Sequence, residues 1–192
     1  TEWYRLNKAK SFEEWTDALR MQEIASLNLI YADKEDNIFF VHNVKSPIRD
    51  NNFDWSKILP GDRSDLIWSD FHSFDDIPQI KNPNSGYLFS TNQNPFFVTD
   101  AEDNLNPDDF VDTFGFQTRT TNRAYRSYEL LTRDTDITYE EINSIKHDNK
   151  FSYNSRQYAF MEKIFNTDFS ENKKLQEAQK FLKGWDLGTD FE

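Results

Sequence analysis

Residues 27–42 read LNLIYADKEDNIFFVH, and this stretch decides the fold. Its two ends, residues 27–32 and 38–42, are short runs rich in Leu, Ile, Val, Phe and Tyr, which is typical of β-strands. Between them lies KEDN at residues 34–37, a polar segment that favours a turn. The pattern therefore predicts an antiparallel β-hairpin.

Helical signals flank the hairpin on both sides. Ser11 followed by Glu14, and Thr138 followed by Glu141, are capping-box patterns that predict helix starts. Apolar residues at helical spacing predict further helices around residues 123–131, over 155–165, and over 170–184 with Gly184 as C-cap. The order helix, strands, loop, helices predicts an α+β fold.

The middle of the chain carries few regular patterns. Residues 44–80 are punctuated by proline and interleaved with Trp and Phe, which predicts a long loop packed on a surface. Residues 82–86 have the composition of a turn, and residues 87–90 are a candidate short strand that residues 91–95 interrupt. Residues 100–112 form an acidic loop.

The chain of 192 residues is long enough for one domain with a real core. We interpret 1–192 as a single domain or fragment, divided into a helix, hairpin and short-strand region at 1–99 and an acidic loop and helical region at 100–192.

Charge and composition exclude several classes of function. A net charge of −12 argues against nucleic-acid binding and against docking on anionic lipid, because both need a basic surface. The absence of cysteine excludes disulfides and thiolate nucleophiles. No apolar run approaches the roughly 18 residues of a membrane span, and the first residues lack the features of a signal peptide.

Self-contained catalytic motifs are also missing. The sequence has no G-x-S-x-G, H-E-x-x-H or Walker A pattern. The three histidines, His42, His72 and His147, lie far apart without metal-ligand spacing, and we interpret them as structural or surface residues. An N-terminal Thr can serve as a nucleophile, but Thr1 precedes a polar stretch and a helix, so a processing site or an artificial chain end is favoured.

The acidic segment 100–108 alternates Asp, Glu and Asn in the manner of a calcium-binding loop. An EF-hand is excluded, because Leu105 stands where that loop needs Gly and Val111 where it needs Glu. A looser calcium site and a solvated acidic loop both remain open on the residues alone.

Asn92 follows the candidate short strand and precedes Pro95, in a segment tight enough to fix its side chain. A side-chain amide offers two N–H donors and can face a developing oxyanion. A loop Asn is more commonly structural, so composition alone leaves both roles open.

Several segments together resemble one family, the penicillin acylases. Residues 28–42 resemble its N-x-x-Y-A-D-x-x-G-N-I-x-Y-x-H stretch, and residues 82–95 its N-P-x-x-G-x-[IL]-x-x-x-N-N-x-P stretch. Further similar segments occur in the same order, namely FEEW at 12–15, PIR at 47–49, residues 55–61, NRAYR at 122–126 with Leu130 and Leu131, and LKGWD at 182–186.

The resemblance implies an N-terminal nucleophile hydrolase with an αββα core of antiparallel strands, followed by a helical region. It places this chain inside the β chain of a self-cleaving precursor, and it implies the rest of that β chain and the α chain as partners. The nucleophile would be a Ser that lies outside this chain. The implied substrate is a small N-acyl amide of the β-lactam or N-acyl-homoserine-lactone type, in the periplasm or outside a bacterial cell.

Site residues follow from the same resemblance. Asn92 matches the Asn whose amide completes the oxyanion hole, and Arg123 matches the Arg that orients the nucleophile and that Asn. Asp100 and Asp103 lie in a loop that resembles the one supplying a structural calcium ligand. Departures from the pattern are Asp36 where the family often has Gly, and Gln93 where it has a second Asn.

Two further expectations complete the interpretation. The competing hypothesis is a non-catalytic or degenerate ligand-binding module, which would have the same sequence features over this stretch. An isolated fragment of a sheet would also carry unpaired strand edges, from which we expect self-association.

Overall fold

The computed structural model describes residues 1–133 and 135–190, and its contacts divide the chain into two units, Thr1–Arg119 and Thr120–Glu192. The first unit contains the hairpin, the loop around Asn92 and also the acidic segment 100–112. The boundary between the units therefore falls after Arg119, downstream of the division at residue 100 that was drawn from the sequence.

A three-stranded antiparallel sheet organises the first unit. Its strands are β1 (Ser26–Ala32), β2 (Ile38–Val44) and β3 (Gln79–Lys81), with β2 in the centre. The predicted hairpin is confirmed. Asp33 closes its turn by accepting hydrogen bonds from the backbone N–H groups of Glu35 and Asn37, each at 3.0 Å.

One face of this sheet packs against two helices, α1 (Glu2–Lys8) and α2 (Phe12–Leu19). Phe39 and Val41 of β2 join Leu19 in this apolar cluster, and all three side chains are buried. The Ser11 cap is confirmed, since its hydroxyl accepts a hydrogen bond from Glu14 N–H at 3.2 Å.

Helix α1 is absent from the sequence prediction, which treated residues before Ser11 as a polar stretch. A long-range contact explains its position. The buried carboxylate of Glu2 accepts hydrogen bonds from Ile24 N–H at 3.0 Å and from Asn43 Nδ2 at 2.7 Å. Glu2 thus ties the first helix to the central strand.

The opposite face of the sheet packs against the segment that follows β3. Phe40, Ile80 and Val98 form a second buried apolar cluster there. The predicted strand at 87–90 is wrong. Phe89 N–H does donate to Val98 O at 2.9 Å, but within the described residues no ladder extends from that bond, because the chain turns sharply at residues 91–95.

Only some side chains of the long loop 45–78 are buried. Its buried residues include Phe74 and Ile77, while Trp68 and Ile58 are exposed. Arg49 joins the loop to the residues just after the acidic segment by donating to the carbonyls of Thr113 and Phe114. The acidic segment itself forms three short 3-10 turns, at Ala101–Asp103, Pro107–Asp109 and Asp112–Phe114.

The second unit is helical, as the sequence predicts. Its helices are α3 (Asn122–Leu131), α4 (Tyr139–Lys146), α5 (Arg156–Phe165) and α6 (Lys173–Lys183). The capping box of Thr138 and Glu141 is confirmed, and Gly184 is the C-cap of α6 with φ of −86°. Across residues 1–133 and 135–190, no helix has the length and apolar character needed to span a membrane.

Candidate active site

Asn92 lies on the tight turn at residues 91–95, which is enclosed by the hydrogen bond from Phe89 N–H to Val98 O. Its backbone is left-handed, with φ of 62°, and its side chain is exposed. Asn is one of the few residues other than Gly that adopts this conformation at low cost. Among the residues that the structure describes, the exposed side-chain amide of Asn92 makes no hydrogen bond, so its N–H donors are available to a ligand.

Gln93, the next residue in the chain, stabilises the turn through hydrogen bonds of its side chain. Its side chain is buried, and Nε2 donates to Phe89 O at 3.2 Å and to Phe97 O at 2.8 Å. Its Oε1 accepts from the backbone N–H and the hydroxyl of Thr91. Gln93, which departs from the family pattern, therefore stabilises the turn from its buried side, whereas Asn92 is exposed.

The hairpin also stabilises this turn through hydrogen bonds. Asn28 of β1 donates from Nδ2 to Gln93 O at 2.9 Å and to Ser90 Oγ at 3.3 Å. Ser90 Oγ also accepts from Asn92 N–H at 3.4 Å. A continuous hydrogen-bond chain therefore runs from the sheet to the backbone of Asn92.

His42 of β2 is the last member of this chain. It stands directly opposite Asn28 in the strand register, and its Nδ1 lies 2.6 Å from Asn28 Oδ1. Burial lowers the pKa of His42 below its ordinary value of 6.5, so the imidazole is neutral at neutral pH. The ring of Phe116 packs edge-on against the imidazole of His42, with 5.4 Å between the ring centroids.

Arg123 lies in the second unit, in the first turn of α3, and is exposed. Positive charge at a helix N-terminus opposes the helix dipole, so the position does not favour Arg for local stability. Asn92 belongs to the first unit and Arg123 to the second.

Arg126, three residues further along α3, forms ion pairs within the second unit. Its guanidinium binds Asp148 in a bidentate manner, with both N–O distances at 2.7 Å, and Glu129 lies 3.4 Å away. The pair with Asp148 raises the pKa of Arg126 and lowers that of Asp148. Only the i, i+3 spacing to Glu129 was readable from the sequence.

Asp100 and Asp103 fit a calcium site poorly. Asp100 caps a short 3-10 turn through Ala101 N–H, and the carboxylate of Asp103 accepts from Asn84 Nδ2 at 3.0 Å and Ser85 N–H at 2.7 Å. The described residues contain no group of three or more His, Asp or Glu side chains arranged to hold a metal ion. Calcium binding by these two residues stays a prediction.

The remaining candidates have structural surroundings. His72 stacks on Phe114 at 3.9 Å between ring centroids, and His147 caps α4 with Nδ1 2.8 Å from Asn143 O. Thr1 precedes α1 rather than a strand, and its amino group pairs with Glu23 at 3.0 Å.

Comparison with known proteins decides the family. A family model described as penicillin amidase matches residues 1–191. The chain belongs to the penicillin amidase family. The resemblance inferred from the ordered motifs is thereby confirmed, and so is the α+β fold that it implied.

Two members of the penicillin amidase family illustrate the relationship. The penicillin G acylase of Escherichia coli is 33% identical over 93 residues, which cover 48% of this chain and 11% of that protein. The thermostable penicillin G acylase from Alcaligenes faecalis has a similar structure, with a TM-score of 0.71 and 24% identity over 100% of this chain and 32% of that one. The chain thus spans a minor part of the length of both relatives.

Two residues of the network were not among the sequence-predicted site residues. Asn28 and His42 both lie in the family motif at 28–42, but nothing in the sequence alone joins them to Asn92. Their cross-strand register, together with the return of the chain at residues 90–93, brings them under the turn. Chemically, the arrangement presents an exposed side-chain amide on a turn held by hydrogen bonds, and such an amide can donate to a carbonyl or anionic oxygen.

Proposed function

We propose that this chain is part of an amidohydrolase that removes the acyl group from N-acyl amides of the β-lactam or N-acyl-homoserine-lactone type. The attacking group would be an N-terminal Ser outside these 192 residues. Membership of the penicillin amidase family supports the reaction class. The observation that carries the proposal is the exposed side-chain amide of Asn92 on a turn that hydrogen bonds of Gln93 hold in place.

In this mechanism Asn92 donates a hydrogen bond to the oxyanion of the tetrahedral intermediate. The negative charge on that oxygen appears only as the nucleophile attacks, so a donor fixed in advance stabilises the transition state more than the substrate. The buried side chain of Gln93 supports this role, because its hydrogen bonds to Phe89 O and Phe97 O hold the turn that carries Asn92 before any substrate binds. Loss of one such donor typically slows the reaction by about 10²–10³-fold.

Arg123 would orient the nucleophile and the amide of Asn92 in the assembled enzyme. A guanidinium offers donors in a rigid planar fork, which suits it to holding two partners at once. The remaining parts of the β chain and the α chain would complete the site. We also propose a location in the periplasm or outside a bacterial cell, in line with the sequence resemblance.

Kinetics of the full-length protein test this function. Purified protein is assayed against a panel of N-acyl anilides and N-acyl-homoserine lactones, and Asn92→Ala is then compared on the best substrate. We expect kcat to fall by about 10²–10³-fold with KM little changed, because the lost interaction exists only in the transition state. Absence of turnover on the entire panel would instead favour the non-catalytic ligand-binding module.

A further inference from the structure

Asn28 and His42 form a polar pair on the face of the sheet that contacts the Asn92 turn. On that face Phe40 packs with Ile80 and Val98 in an apolar cluster, whereas Asn28 and His42 oppose each other and contact the turn through hydrogen bonds. Both side chains are half-buried, which has a cost that apolar packing would avoid, and each of them offsets this cost with a hydrogen bond in the chain that leads to the turn.

We propose that Asn28 and His42 are positioning residues that set the placement of the Asn92 amide in the amidase reaction. This inference rests on the proposed oxyanion role of Asn92. Asn28 fixes Gln93 O and Ser90 Oγ, the two atoms that flank Asn92 on the turn, and His42 fixes Asn28.

The directions of these hydrogen bonds follow from chemistry. The carbonyl of Gln93 can only accept, so the group of Asn28 that faces it must be the Nδ2 amide. Asn28 Oδ1 therefore faces His42, and His42 Nδ1 must carry a proton to donate to it. The amide of Asn28 consequently cannot flip without breaking bonds at both ends.

Such a fixed amide controls position more than overall stability. The apolar cluster of Phe40, Ile80 and Val98 holds the turn near the sheet whether or not the polar pair is intact. Catalysis is more demanding, because a misplacement of about 1 Å at a reacting group can slow the reaction by about 10²-fold. A positioning role therefore predicts a loss in kcat without a matching loss in KM or folding.

The test uses the full-length protein and variants that change hydrogen bonding at nearly constant size. Asn28→Asp keeps the acceptor for His42 but replaces the donor that faces Gln93 O. His42→Leu removes the imidazole donor, while His42→Asn restores an N–H near the position of Nδ1. Ile30→Val, on the same face of β1 and outside the network, is the matched control.

We expect Asn28→Asp and His42→Leu to lower kcat by about 10–100-fold with KM within about twofold. His42→Asn should recover part of the lost rate, and Ile30→Val should match the wild type. Hydrogen–deuterium exchange followed by mass spectrometry should show faster exchange in residues 88–98 of Asn28→Asp, with the rest of the protein unchanged.

Wild-type kcat and wild-type exchange in both Asn28→Asp and His42→Leu would overturn the proposal. So would equal losses in His42→Asn and His42→Leu accompanied by a general loss of protection, since that result indicates a purely structural role. The exchange measurement is independent of catalysis. If Asn92→Ala were fully active, the oxyanion role would fail, whereas faster exchange at residues 88–98 would still show that the pair holds the turn.

Discussion

The two units of the chain are stabilised by different interactions. In the first unit the buried side chains are mainly aromatic and aliphatic, including Phe39, Phe40 and Val98. In the described part of the second unit the buried residues are Ala124, Ser152, Ser155 and Leu187, and large apolar residues such as Phe181 remain exposed. The first unit therefore has a hydrophobic core, whereas the centre of the second unit is largely polar.

The polar centre of the second unit is built around Glu129, Arg126 and Asp148. Arg126 joins α3 to the segment after α4 through Asp148, and Glu129 accepts from the hydroxyl of Ser152 and from Asn154 Nδ2. This network therefore holds α3 against residues 148–154. The first unit should therefore respond most to changes in side-chain volume, and the second to changes in charge.

The largest effect is expected from opening a cavity in the first unit. Phe40→Ala removes a fully buried ring and should reduce the free energy of unfolding of that unit by about 3–5 kcal/mol. Phe40→Leu, which keeps most of the volume, should cost less than about 1.5 kcal/mol. Local hydrogen exchange in the full-length protein measures both values, and equal costs for Ala and Leu would contradict a volume-controlled core.

Removal of the guanidinium at the centre of the second unit should have the next largest effect. Arg126→Met leaves two mostly buried carboxylates without their partner, for which we expect a loss of about 3 kcal/mol in the protection of residues 147–155. Arg126→Lys keeps the charge but loses the bidentate geometry and should lie between Met and the wild type. If Arg126→Met exchanged like the wild type, the charge-controlled account of this unit would be wrong.

The smallest effect concerns pH, and the two units should lose stability in different ranges. Because burial lowers the pKa of folded His42, its contribution is complete above about pH 6.5 and is lost as the pH falls through the folded value. The pKa of Asp148 is lowered by Arg126, so its contribution is complete above about pH 3.8 and is lost below that value.

Exchange corrected for its intrinsic pH dependence should therefore report loosening at residues 88–98 as the pH falls below about 6.5, while residues 147–155 respond only as the pH falls below about 3.8. His42→Asn should abolish the first response and Arg126→Met the second. A simultaneous response of both regions would contradict the assignment of separate titrating groups.

The sequence predicted those elements whose signals are local. The hairpin at 27–42 has strand composition on both sides of a polar turn, and the caps at Ser11 and Thr138 depend on residues three positions away. Helix α1 was missed because its place depends on Glu2 reaching Asn43, a contact between distant residues. The strand at 87–90 was wrong because composition does not reveal whether a partner strand is present.

The candidate site likewise has parts with local sequence signals and parts that depend on contacts between distant residues. Asn92 could be named from the family motif, but its left-handed backbone and the brace that Gln93 provides required the folded turn. The support from Asn28 and His42 depends on strand register, which joins residues that are 14 positions apart in the chain. Arg126 was passed over because its main partner, Asp148, lies in another element.

The most direct test of the account is kcat of Asn92→Gly in the full-length protein. Glycine adopts φ of 62° without strain, so this variant removes the side-chain amide and leaves the backbone of the turn intact. We predict that kcat falls by about 10²–10³-fold, as for Asn92→Ala. A kcat close to the wild-type value would contradict the claim that the amide of Asn92 stabilises the oxyanion.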